Sequence, residues 1–187
     1  PAGPLRHPLW ALSTRDMVGV ALGAVGVAAV IVLLGFSAFF SSSETAIFSL
    51  PAEWFERQAD AGDPRGAVLK GLHDDPHRLL VTLLVGNNVV NIAISSVVTV
   101  LIASYLPAGP AIVVTTLCAS VLVLVFGEIV PKAFGLGNAE TWSLRVASPV
   151  RLVERVLSPL ITLFDGITRR MNAYISGDAS IEKPYTD

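Results

Sequence analysis

Between residues 79 and 127 the chain has no Asp, Glu, Lys or Arg, and Val, Leu and Ile dominate the run. A second charge-free run covers residues 17–43. Water-soluble domains carry about 25% charged residues; this chain carries 15%, with 52% hydrophobic residues and a mean hydropathy of +0.64. The composition describes an integral membrane protein. A spanning helix takes about 20 apolar residues, so the longer run is too long for one pass. Leu106-Pro107-Ala108-Gly109-Pro110 divides it into a hairpin. The spans are expected at about 17–43, 78–105 and 111–131, in an all-α fold with three transmembrane helices. The first run exceeds the roughly 7–15 residues of a signal-peptide core. It leads into Ser41-Ser42-Ser43-Glu44 rather than a small-residue cleavage site, so it reads as a span.

Residues 52–75, between the first two spans, are polar and mixed in charge. Asp63-Pro64 is a helix-start signal, an N-cap followed by proline at the first helical position. Asp75-Pro76 repeats it ahead of the second span. A pair of short helices is expected there. Arg57, Arg65, Lys70 and Arg78 mark this loop, and Lys132, Arg145, Arg151, Arg155, Arg169 and Arg170 follow the third span, whereas the hairpin turn has no cation. The positive-inside rule places the loop and the C-terminal part in the cytoplasm. The N-terminal segment, residues 1–15, is then extracellular despite Arg6 and Arg15.

In residues 139–175 the period changes. Val150, Val153, Leu157, Leu160, Phe164, Ile167, Met171 and Tyr174 fall on one helical face, with Arg151, Glu154, Arg155, Asp165, Arg169 and Arg170 off it. This predicts one or two amphipathic juxtamembrane helices lying in the cytoplasmic interface, bent near Pro159. The same stripe also suits a coiled coil or dimer seam. The net charge of -2 argues against a nucleic-acid partner. Cys118, the lone cysteine, is expected to be a small buried hydrophobe. His7, His73 and His77 match no ligand spacing and are expected on the surface. Lys132 is expected to anchor a span boundary, with Glu44 left open.

Three polar clusters interrupt the apolar runs. Ser37 and Ser41 are four residues apart and share a helical face, as do Asn87 and Asn91. Glu128 follows Gly127 and precedes Pro131. Proline has no N–H, so the carbonyl four residues earlier, Gly127's, loses its helical bond. Broken helices in transporters hold cations on such freed carbonyls. Two hydroxyls, two amide oxygens, one carbonyl and one carboxylate are hard donors, suited to Mg²⁺ or Na⁺ rather than zinc or copper. Ca²⁺ is the next alternative, though it usually takes more carboxylates. One negative charge implies modest Mg²⁺ affinity, which suits release, and lets Na⁺ compete. The candidate metal ligands are Ser37, Ser41, Asn87, Asn91, Gly127 and Glu128, with Ser43 and Asn88 second. Each cluster has an ordinary explanation too: serines bond back to their own helix, asparagines glue helices together, and Gly-Glu-x-x-Pro can end a helix. All three coinciding favours a site.

The motifs Phe36-Ser37-x-Phe39-Phe40-Ser41 with Ser43-Glu44-x-Ala46, Gly86-Asn87-Asn88-x-x-Asn91 and Gly127-Glu128-Ile129-x-Pro131-Lys132 resemble the transmembrane domain of the cyclin M / CorC (hemolysin C-like) magnesium transporters. The resemblance covers roughly residues 20–175. It implies a homodimer in the cell (plasma or inner) membrane, with Mg²⁺ bound between the spans and exported, and Na⁺ as counter-ion. It puts the family's metal-binding positions at Ser37, Ser41, Asn87, Asn91, Gly127 and Glu128. Family members continue into a cytoplasmic helical bundle and a nucleotide-binding CBS pair. Residues 177–187 are therefore expected to be a linker to a missing cytoplasmic region, in a truncated chain without nucleotide regulation. No enzymatic activity is expected. The alternative to a transporter is a non-transporting Mg²⁺ sensor or membrane scaffold that regulates another channel or transporter.

Overall fold

The computed structural model describes the backbone of residues 14–176 and the side chains of 19–163. All its regular elements there are helical: α1 (Thr14–Phe48), α2 (Ala52–Asp60), α3 (Pro64–His73), α4 (Pro76–Ala103), α5 (Ala108–Leu122), a π-helical segment (Val123–Ile129), α6 (Val130–Gly137) and α7 (Ala139–Ser176). Three stretches are long and apolar enough to cross a membrane: Gly19–Phe48, Pro76–Ala103 and Ala108–Gly137. The middle one, 28 residues, rises about 42 Å at 1.5 Å per residue, longer than a hydrocarbon core of roughly 30 Å. The extracellular segment and the terminal linker expected from sequence fall outside the described residues.

The chain divides into two compact units, Pro1–Ser41 with Asn87–Pro131, and Ser42–Gly86 with Lys132–Asp187. The first, here the span unit, has a small core of Val30, Ile94, Val98 and Ala119. Its larger apolar side chains point outward, among them Val25, Ile31, Ile92, Val100, Ile112 and Leu117. An apolar exterior suits lipid, which gains nothing from burying it. Cys118 is exposed on this surface, against expectation. Its apolarity predicts burial only where the surroundings are water.

The second unit, here the belt unit, is built around the α2–α3 pair and α7. Asp63 caps α3, accepting the Arg65 backbone N–H at 2.9 Å. Gly62 makes the preceding turn at φ 80°, a left-handed conformation that glycine adopts without strain. Gly66 faces the Gln58 carbonyl so closely that no β-carbon fits between α2 and α3. Trp54, Phe55, Leu69 and Leu72 are buried there. His73, expected on the surface, stacks on Phe55 with centroids 4.0 Å apart.

α7 is one assigned helix with Pro149 and Pro159 inside it, rather than two elements divided at Pro159. Its buried face runs through Ser143, Ala147, Val150, Glu154 and Ile161. That is rotated by about one residue from the apolar stripe expected from spacing, because Glu154 is buried instead of solvated. Burial on both sides of Pro159 holds the helix across the backbone bond the proline removes.

Candidate metal centre

Ser37, on α1, is 0% exposed. The 3.6-residue period brings Asn87 and Asn91 of α4 to one face, and both meet this hydroxyl. Ser37 Oγ donates toward Asn91 Oδ1 at 2.7 Å and toward Asn87 Oδ1 at 3.1 Å. A hydroxyl has one proton, so only one amide oxygen is served at a time. Three oxygens therefore converge with a single proton among them.

The third chain segment also approaches this hydroxyl. A β-carbon on Gly127 would lie 2.6 Å from Ser37 Oγ, so any larger residue there would displace the Ser37 hydroxyl from its present position. Glu128 follows, accepting from Asn91 Nδ2 at 3.5 Å, a long contact. Both residues lie within the π-helical segment, and the N–H of Val130 reaches back five residues to Val125 O. Single π turns are uncommon and recur at functional sites. Pro131 would have served either Gly127, in α register, or Phe126, in π register. The missing donor is thus shared between two carbonyls, whereas counting four residues back names only Gly127.

Ser41 is buried, and its Oγ has no hydrogen-bond partner. Ser37, Ser41, Asn87, Asn91, Gly127 and Glu128 all belong to the span unit. The contacts above join all of them but Ser41. Among the described residues, no hydrogen bond joins the second-rank residues to them. Asn88 is exposed and lines a cavity of about 670 Å³ with Asn91, Ser95, Thr99, Thr115 and Ser120. Ser43 belongs to the belt unit, where its hydroxyl is buried without a partner.

Sequence reasoning missed two features. Thr115 is buried with an unpartnered hydroxyl in the cavity beside Asn88; the Thr115-Thr116 pair in an apolar run was its signal. In the belt unit Glu154, 6% exposed, receives Arg78 Nε on Oε1 and Arg151 Nη1 on Oε2 at 2.8 Å. Arg78 Nη2 also bonds Ser158 Oγ at 2.8 Å. The Arg151–Glu154 spacing of three was visible; the partner from α4 was not. Lys132 and Glu44 form a half-exposed pair at 3.5 Å.

Fold and site together define an all-α, multi-pass membrane domain with a partly buried, oxygen-rich cluster in its span unit. The chain belongs to the cyclin M family: residues 28–187 match the cyclin M transmembrane N-terminal domain. It is 37% identical over 130 residues to a DUF21 domain-containing chloroplastic protein of Arabidopsis thaliana, covering 69% of this chain and 19% of that one. A UPF0053 protein of Synechocystis is 31% identical over 142 residues, 76% of this chain and 41% of the relative. The UPF0053 inner membrane protein YfjD of Escherichia coli is 32% identical over 136 residues, 72% and 31%. The chain thus spans between about a fifth and two fifths of these relatives.

Proposed function

We propose that this chain is the ion-translocating membrane domain of a magnesium transporter, exporting Mg²⁺ in exchange for Na⁺. One observation carries the reading: three oxygens of Ser37, Asn87 and Asn91 crowd together with one proton to share. Crowded acceptors repel unless a cation or further donors lie among them. The nearby ionisable group is a carboxylate, Glu128, so the charge balance also favours a cation. Membership in a family broadly linked to divalent cation transport agrees with this.

Mg²⁺ fits the donor chemistry because it takes hard oxygens in octahedral array. It also sheds water reluctantly, and a preassembled set of neutral oxygens offsets that cost. Ser37, Asn87, Asn91 and Glu128 would hold the ion; Ser41 and the Gly127 carbonyl would complete the set. Neutral ligands leave the affinity modest, as release requires, and let Na⁺ compete. The distribution of Lys and Arg supports an extracellular N-terminus and a cytoplasmic belt unit in the cell membrane. A homodimer is the assembly proposed with it.

Purified chain in proteoliposomes tests this. Trapped Mg²⁺ should exchange against Na⁺ in a saturable manner, and Glu128→Ala should remove the flux while the protein stays folded. Normal flux in that variant contradicts the assignment. Saturable Mg²⁺ binding without flux would make the chain a sensor.

A further inference from the structure

The belt unit contains a second polar cavity, of about 310 Å³, lined by Trp54, Gln58, Arg65, Glu140, Thr141 and Arg145. That volume is at the lower end of small-molecule sites. Its walls are fixed. α2 and α3 are locked by the approach of Gly66 to Gln58, and Thr141 and Arg145 are one turn apart on α7, on a common face.

The charges choose the ligand. Arg65 is already committed to Asp63, with Nη2 to Oδ2 at 2.9 Å. Side-chain and backbone hydrogen bonds from Arg65 hold the Asp63 carboxyl below its ordinary value, and the same pairing raises Arg65. That pair adds almost no net charge. Glu140 and Arg145 are left, one of each sign, and neither has an ion-pair partner among the described residues. A simple anion would meet Arg145 favourably and Glu140 unfavourably. A polybasic lipid site, by contrast, gathers about 4–8 cations. A cavity with one free cation and one free anion complements a ligand carrying both signs.

We propose that this cavity binds a phosphate ester that also carries an ammonium group, the chemistry of phosphoethanolamine. Arg145 takes the phosphate, since its planar fork matches phosphate oxygens. Thr141 and Gln58 supply further hydrogen bonds, and Glu140 receives the ammonium. Trp54 gives the cavity an apolar wall with an indole N–H, a side chain suited to a membrane–water boundary. The membrane around a multi-pass protein supplies such headgroups. The proposal does not depend on the cation reading, because none of these residues belongs to the span unit.

The test uses the purified, delipidated chain in detergent. Thermal unfolding is followed as short-chain phosphatidylethanolamine, short-chain phosphatidylglycerol or free phosphoethanolamine is titrated. Phosphatidylethanolamine should raise the melting temperature saturably, with phosphatidylglycerol at least tenfold weaker. Arg145→Ala and Glu140→Gln remove charges from exposed positions and should leave the fold intact by circular dichroism. Each should weaken phosphatidylethanolamine about tenfold or more, and Glu140→Gln should also narrow its advantage over phosphatidylglycerol. Competition by free phosphoethanolamine at similar concentrations would assign a soluble source, and its failure to compete a lipid source. Equal response to the two lipids in the unmodified chain, or unchanged phosphatidylethanolamine response in both variants, would overturn the proposal.

Discussion

Two polar networks, one in each unit, are built on opposite terms. In the belt unit Glu154 is clasped by Arg78 and Arg151, and Arg78 is further held by Ser158; donors and acceptors match. In the span unit Ser37 offers one proton to two amide oxygens; unpartnered buried hydroxyls occur in both units, Ser41 in this one and Ser43 and Ser143 in the other. Native proteins rarely leave buried polar groups unserved. A matched network is what structure alone requires. A cluster short of donors is what a passing cation would complete.

The largest expected effect breaks the matched side. Glu154→Ala strands Arg78 and Arg151, and because Arg78 is partly exposed the loss should be on the order of 2–3 kcal/mol. Thermal unfolding in detergent would show a clear fall in melting temperature, with Mg²⁺ affinity of the folded fraction unchanged. A falling affinity would mean the two networks are not separate in function. Ser37→Ala sharpens the other side. Its stability should change by less than about 1 kcal/mol, because one proton was shared badly, yet Mg²⁺ affinity should fall about tenfold. A stability loss matching that of Glu154→Ala, with affinity intact, would make Ser37 structural.

The smallest effect concerns the α3 cap. The Asp63 carboxyl is held below 3.8, first by the Arg65 side chain and then by its backbone N–H. A depressed carboxylate stabilises the folded chain fully above its unfolded value and loses that contribution as pH falls through the folded one. Lowering the pH from 5 toward 3 should therefore loosen α3, read as lower amide-exchange protection factors in residues 65–67, after division by the intrinsic rate at each pH. In Asp63→Ala the same residues should show low protection at both pH values. A pH response that persists in that variant would belong to another group.

The contrast also shows what sequence can convey. Charge-free runs reported the membrane class, because lipid penalises charge wherever it sits along a helix. The candidate ligands were legible as polar residues at four-residue spacing. Their meeting at Ser37 was not, since spacing gives the face of a helix and not the face it packs against. Glu154 shows the cost of that blindness: polarity placed it in water, and an arginine 76 positions away keeps it buried. Cys118 failed in the opposite sense, its thiol lying outside, where lipid is no harsher than the interior. The π-helical register of Val123–Ile129 was invisible because an inserted residue leaves no mark on composition. Only Pro131 hinted that hydrogen bonding changes there.

The most direct test of the account is a calorimetric Mg²⁺ titration of the purified chain beside its Glu128→Gln variant. The variant keeps the shape and loses the charge. The oxygen cluster predicts a saturable Mg²⁺ isotherm for the unmodified chain and at least a tenfold weaker one for Glu128→Gln, with melting temperatures in the absence of Mg²⁺ nearly equal. Indistinguishable isotherms, or no Mg²⁺ binding by the folded, unmodified chain, would contradict it.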